Sequence, residues 1–222
     1  MKPTLEAYQA FQTAYDFFNK ELFMSELPRC LITLQRQRAS YGYFCKDRFA
    51  SRTAKTDEIA LNPQYLRARS DIESLSTLVH EMVHLWQDHF AKPGRGRYHN
   101  KQWADKMESL GLMPSDTGKE GGKRVGDRMS HYIVAAGPYD KTAQSLLNGR
   151  FEIPWGDNNE TAPDEGDGEE GSNSRSKNKS NRLKFSCRGC KVNAWGKPDL
   201  LLICGKCRVD MICRDAQTDG DK

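Results

Sequence analysis

Two imidazoles and a carboxylate in one short run are the first residues able to do chemistry: Leu78-Val79-His80-Glu81-Met82-Val83-His84-Leu85-Trp86. On a helix, four residues rise by about 6 Å and turn by roughly 400°, so His80 and His84 share a face and can share one metal ion. Glu81, rotated by about 100° from His80, can reach a water on that metal without binding the metal itself. Zinc held this way lowers the pKa of its water to about 7, and the glutamate takes the proton. Two histidines on a buried helix can equally be satisfied core residues, and a third ligand decides between the readings, because a catalytic zinc has three protein ligands and one open position.

His89 lies five residues beyond His84, about 140° round the helix, and points away from such a site. The metzincin pattern is excluded, since it needs glycine at position 87 and histidine at position 90, where the chain has Gln87 and Phe90. His99 is the better third candidate: it opens a second helical pattern in which Trp103, Met107 and Leu110 share one side and Gly111 is the stop.

With His80-Glu81-Met82-Val83-His84-Leu85-Trp86-Gln87 followed by Tyr98-His99-Asn100-Lys101-Gln102-Trp103, the chain resembles the SprT-like metallopeptidases, which include the Spartan proteases that digest DNA–protein crosslinks. The resemblance extends to Glu58-Ile59-Ala60-Leu61-Asn62-Pro63 and to a cysteine-rich C-terminal module. It implies that His99 is the third zinc ligand, and that substrates are proteins bound or crosslinked to DNA. Members commonly carry glycine after the third histidine, where this chain has Asn100.

Certain elements must position these residues. Residues 70–91 read as one helix, started by a capping box of Ser70 and Glu73. Ile72, Leu75, Leu78, Val79, Met82, Val83 and Trp86 recur on it too densely for a surface helix, so it should be buried. An N-terminal amphipathic helix is predicted from Leu5, Tyr8, Phe11, Tyr15 and Phe18, with Thr4 as its cap. Residues 29–36, 41–44 and 58–61 read as strands, which predicts a small antiparallel sheet before the metal helix; Cys30 and Cys45 within it read as small buried hydrophobes.

The loop 92–98 joins the second and third ligands and must border the site. It reads as a solvated basic loop or, with Arg95, Arg97 and Lys101, as an attractor of phosphate. A Gly- and Lys-rich loop at 115–128 precedes a strand at 129–136. His131 in that strand reads as structural, although a strand beside the cleft could present it or Tyr132 to a developing oxyanion.

The formal net charge of +4 and a pI near 8.6 permit nucleic-acid binding without demanding it. Glu6, Asp16, Lys20 and Glu21 interrupt the N-terminal apolar residues, so neither a signal peptide nor a membrane span is expected. Seven cysteines, four of them in two CxxC pairs, fit a reducing compartment better than a disulfide framework, and a cytoplasmic protein is expected, nucleoid-associated in a bacterium.

Cys187, Cys190, Cys204 and Cys207 form two knuckles separated by 13 residues, and four thiolates saturate a zinc ion. That site should be structural: a module of about 30 residues cannot bury enough core to fold alone. Cys213 is left over. Arg188, Lys191, Lys197, Lys206 and Arg208 with Trp195 place basic charge near an aromatic platform for a base.

The reading is an α+β protein. Residues 1–156 form a zincin-like SprT domain of helices with a small antiparallel sheet, 157–183 an acidic-then-basic disordered linker, and 184–222 a four-cysteine zinc ribbon and tail. The expected activity is zinc-dependent peptide hydrolysis by a monomer carrying one catalytic and one structural Zn2+, with DNA as a partner and no membrane. The alternatives are a DNA-binding adaptor whose histidine metal is structural, and a metallopeptidase with no link to nucleic acid.

Overall fold

The computed structural model describes residues 2–96, 98–158, 183–197 and 200–213. Helix α1 (Pro3–Phe23) starts at a proline, whose fixed φ suits the first helical position, and ends where Met24 turns left-handed at φ 56°. Thr4 is already inside this helix and Lys2 stands at the cap without a side-chain bond, which corrects the predicted cap. The buried stripe runs Ala7, Phe11, Ala14, Tyr15, Phe18 and Phe23, while Leu5 and Tyr8 are exposed. The stripe holds the helical period but begins at the smaller residue beside Tyr8.

Strands β1 (Leu31–Leu34), β2 (Gly42–Ala50) and β3 (Lys55–Leu61) form one sheet in the order β1-β3-β2. The β2–β3 pair is antiparallel, but β1 runs parallel to β3, from Leu31 opposite Glu58 to Leu34 opposite Leu61. The sheet is therefore mixed, not antiparallel as predicted. Asp57 to Leu61 of β3 are all buried, so β3 takes the centre and separates two strands that are consecutive in sequence. Among the described residues β2 is left as a sheet edge.

Asn62 ends the sheet and caps the one-turn helix α2 (Pro63–Leu66), accepting from the Gln64 N–H while its amide donates to the Gln37 and Ser40 carbonyls. Helix α3 (Asp71–Phe90) follows with the predicted capping box: the Ser70 hydroxyl accepts from the Glu73 N–H, and the Glu73 carboxylate accepts from the Ser70 N–H at 2.9 Å. Leu75, Leu78, Val79, Met82, Val83 and Leu85 of α3 are completely buried.

Helix α4 (Lys101–Ser109) buries Trp103, Ala104 and Met107, and the chain leaves it at Gly111. Gly111 has φ +80°, and a Cβ there would lie 2.9 Å from the Pro138 Cδ, so conformation and space both exclude a side chain. Strands β4 (Leu112–Ser115) and β5 (Ser130–Ile133) then pair antiparallel. Helix α5 (Pro138–Asn148) has no counterpart among the predicted elements. Its Tyr139 stacks on Phe18 at 5.7 Å and donates its hydroxyl to the Ile72 carbonyl, joining α1 to the start of α3.

The chain divides into two compact units, Met1–Ser172 and Asn173–Lys222. In the first, Asp157 still donates its N–H to the Pro63 carbonyl and accepts from Arg36 at 2.7 Å. The proposed linker between residues 159 and 182 lies outside the described residues. The second unit is a three-stranded antiparallel sheet in which β6 (Leu183–Cys187) lies between β7 (Asn193–Gly196) and β8 (Met211–Cys213). Its buried apolar residues are Phe185, Cys187 and Cys204 among those described, too few to hold such a unit by burial alone.

Ser70→Ala should cost about 1 kcal/mol, read as a lower urea midpoint at neutral pH. The Ser70 hydroxyl, and then its backbone N–H, hold the Glu73 carboxyl below the usual range. A depressed folded pKa stabilises above the unfolded value of about 4.3 and ceases to do so as pH falls through the folded value. The gap between wild type and Ser70→Ala should therefore narrow in urea titrations near pH 3, below the unfolded value.

Candidate metal centre

Helix α3 brings His80 and Glu81 into the interior, both nearly inaccessible, and leaves His84 half-buried. His99 is also buried and immediately precedes the cap of α4. One ring nitrogen from each of His80, His84 and His99 lies within 4.8 Å of the others, and the Nε2 atoms of His84 and His99 are 3.1 Å apart. Two nitrogens bound at about 2.1 Å to one tetrahedral zinc would be about 3.4 Å apart, so this donor set fits the ion. His89 points elsewhere, as its rotation on the helix predicts, and meets Asp57 of β3 at 2.7 Å.

The second nitrogen of each buried ring is also engaged. His99 Nδ1 is 3.2 Å from the Gly126 carbonyl, which can only accept, so Nδ1 carries the proton and Nε2 keeps its lone pair. The backbones of His99 and Gly126 are bridged as well, and this fixes the ring against the 116–129 loop. His80 Nδ1 lies 3.1 Å from His131 Nδ1 on β5. The Trp103 ring stands against His80, His84 and His99, with centroids at 4.9, 5.5 and 4.4 Å.

Asn100 is the cap of α4: its Oδ1 accepts from the Trp103 N–H and from Gln87 Nε2 at 2.7 Å. Its Nδ2 donates to the Lys92 carbonyl, and the Lys92 N–H donates to Gln102. The loop between the second and third histidines is thus clamped at both ends to α3 and α4.

The start of β2 presses on Glu81. A Cβ at Gly42 would lie 2.7 Å from the Ala60 carbonyl and 3.3 Å from Glu81 Oε1, so the glycine lets the strand backbone approach the carboxylate. Beyond it opens a cleft of about 660 Å³ whose lining includes Tyr43, Phe44, His84, Gln87, Pro93 and Tyr98. Gly94 and Gly96 of the loop also line it.

The basic candidates are distributed differently. Arg95 is exposed on the loop, and Lys101 opens α4 with its ammonium on Asp105 at 2.5 Å. Arg97 lies outside the described residues. Contacts that the sequence did not reveal are those of Trp103 with His80 and His84, and of His131 with its partner Ser76; these depend on pairing across the fold, whereas Trp103 meets His99 at the local spacing of four.

In the second unit the sulfurs of Cys187, Cys190, Cys204 and Cys207 lie within 4.8 Å of one another, with Cys190 and Cys204 at 3.6 Å. Sulfurs bound at about 2.3 Å to tetrahedral zinc would be about 3.8 Å apart. The two knuckles repeat one turn. In each, the first cysteine's carbonyl accepts from the residue after the second cysteine, Lys191 or Arg208, which is left-handed at φ 62° or 58°. The first cysteine's N–H donates to the carbonyl one residue further on, of Val192 or Val209.

The Cys190 backbone N–H leads in drawing the Cys187 thiol down to about 6, while the Cys190 side chain leads in pushing Cys207 up to about 12. One thiolate forms readily in this cluster and the next resists, until a cation balances them. Arg188, Lys191, Lys197, Lys206 and Arg208 are exposed around it, as is Trp195 at 62 %.

A helix with His80, Glu81 and His84 that meets a histidine just before the next helix fits a metallopeptidase-like domain. The chain belongs to the SprT-like family, whose model matches residues 8–120, just over half of its length. It is also similar to an uncharacterized protein from the mucB 3′ region of Salmonella typhimurium, 54 % identical over 59 residues that cover 26 % of this chain and 80 % of that protein. No solved structure matches the chain. Among the described residues, no helix is long and apolar enough to cross a membrane.

Asn100→Ala should destabilise the first unit by about 1–2 kcal/mol, because it uncaps α4 and removes the Gln87 and Lys92 bonds. Asn100→Gly restores part of the cap and should cost less than Asn100→Ala in the same urea titration.

Proposed function

We propose that this chain is a zinc-dependent metalloendopeptidase acting on proteins bound or crosslinked to DNA. The observation that carries the reading is the convergence of His80, His84 and His99 beside Glu81, with His84 at the wall of an open cleft. The three histidines hold the metal, and Cys187, Cys190, Cys204 and Cys207 hold a second, structural one. Among the described residues the histidine group has three members, which suits a catalytic site with an open position better than a closed structural one.

Zinc, when bound, supplies a Lewis acid that makes water acidic at neutral pH and polarises a carbonyl. Glu81 takes the proton from the attacking water as the new carbon–oxygen bond forms and then delivers it to the nitrogen of the leaving amine, so that the carbon–nitrogen bond breaks. Burial of Glu81 between α3 and the start of β2 fixes its carboxylate for both transfers. The substrate chain lies in the cleft along β2, whose outer edge offers main-chain donors and acceptors to an extended peptide.

The link to DNA is supported by the exposed basic residues around Trp195 in the second unit, by Arg95 and Lys101 near the cleft, and by the family resemblance. Such contacts give affinity that falls steeply with salt. With its thiols free, the protein fits the reducing interior of a cell, beside the nucleoid in a bacterium.

Glu81→Gln should lower cleavage of a DNA-bound protein by a factor of at least about 10² while two zinc equivalents remain in elemental analysis. Normal cleavage by this variant would sink the mechanism. His99→Ala and Cys204→Ser should each remove one equivalent, and only His99→Ala should abolish turnover of a small peptide. Salt-independent DNA binding, or binding unchanged by Trp195→Ala combined with Arg188→Glu and Lys191→Glu, would separate the protease from nucleic acid.

A further inference from the structure

His131 is not a member of the metal-binding group, yet its ring nitrogens bond in both directions. Nδ1 faces His80 Nδ1 at 3.1 Å, and Nε2 faces the Ser76 hydroxyl at 2.8 Å. Ser76 is buried one turn before His80 on α3, and its hydroxyl lies 2.7 Å from the Glu73 carbonyl.

The direction of each bond follows from this last contact. A carbonyl only accepts, so the Ser76 proton points to Glu73 and the Ser76 oxygen faces His131 as an acceptor. His131 must then carry its proton on Nε2, which leaves a lone pair on Nδ1. That lone pair accepts from His80 Nδ1–H, and His80 Nε2 is left as the metal-binding nitrogen.

We infer that His131 is a positioning residue, which with Ser76 sets the tautomer and orientation of His80 for the metal. The Glu73 carbonyl, Ser76, His131 and His80 form one polarised chain of hydrogen bonds from the first turn of α3 to the site. The usual partner of a metal-binding imidazole is a carboxylate or carbonyl, which accepts without a choice. A neutral histidine accepts at one nitrogen while donating at the other, so here the choice is made by Ser76. His99 reaches the same tautomer directly through the Gly126 carbonyl.

The inference rests on the metal reading above, and two measurements on the full chain separate them. In 15N-histidine NMR, His131 should appear as the Nε2–H tautomer and His80 as the Nδ1–H tautomer; Ser76→Ala should convert His131 to a mixture. In chelator competition with cobalt(II), where the thiolate cluster is recognised by its charge-transfer absorption, Ser76→Ala and His131→Phe should weaken the histidine site about 10- to 100-fold. His131→Asn, which keeps an acceptor toward His80, should recover most of that loss.

His131 protonated at Nδ1, or a histidine-site affinity unchanged in both Ser76→Ala and His131→Phe, would overturn the inference. If His131→Phe misfolds, the Ser76→Ala result decides alone. Predicted tautomers in a wild-type chain that binds no metal at the histidines would overturn the metal reading and uphold the bonding chain.

Discussion

The constraint from which the rest follows is the burial of polar side chains on a helix that is also the centre of the core. Ser76, Thr77, His80, Glu81 and Gln87 of α3 are all buried, interleaved with leucines and valines that have no accessible surface. Apolar contact alone cannot settle such a helix, because each enclosed polar group needs a partner at the right position. The neighbours are chosen accordingly: Arg69 for Thr77, Asn100 for Gln87, and His131 for both Ser76 and His80. Hydrophobic burial holds α3 in place, and polar pairing sets its rotation and register. The convergence of His80, His84 and His99 is a product of that second, more specific requirement.

This division explains why the apolar framework around the site is thick on one side and open on the other. Helices α1, α4 and α5 close the back of α3 with Phe11, Phe18, Trp103, Met107 and Tyr139, while β2 meets its front through a glycine. Behind the histidines the apolar packing is continuous, and in front the cleft is lined by His84 and by Tyr43 and Phe44 of β2. The second unit solves a different problem. With Phe185 as its largest buried side chain among those described, it has little apolar core, and its four clustered cysteines stand close together instead.

What could be read from the sequence was what local chemistry determines. Ser70 and Glu73 announce the start of α3, the His80–His84 spacing places both rings on one face, and Gly111 marks the exit from α4. Membership of the SprT-like family was legible from His80 to Gln87 together with Tyr98 to Trp103. The sheet order was not: β1, β2 and β3 each read as strands, but the parallel β1–β3 pairing depends on which strand the core buries most deeply. Thr4 resembled a cap, although Pro3 had already fixed the helix start. Helix α5 was missed because its apolar residues, Tyr139, Ala143 and Leu146, are few and acquire meaning by packing on α1 and α3. The partnership of His131 with His80 joins positions 51 residues apart and depends on the β4–β5 hairpin, for which no local pattern exists.

The double clamp on Lys92 bears on how fast the site can capture an ion. Closing a flexible loop of nine residues, from Lys92 to Asn100, costs about 2 kcal/mol in chain entropy. Here the closure is made by Asn100 and Gln102, whose bonds to Lys92 and Gln87 hold His84 and His99 together without help from either imidazole. Were an ion to bind there, it would meet ligands that the fold has already gathered.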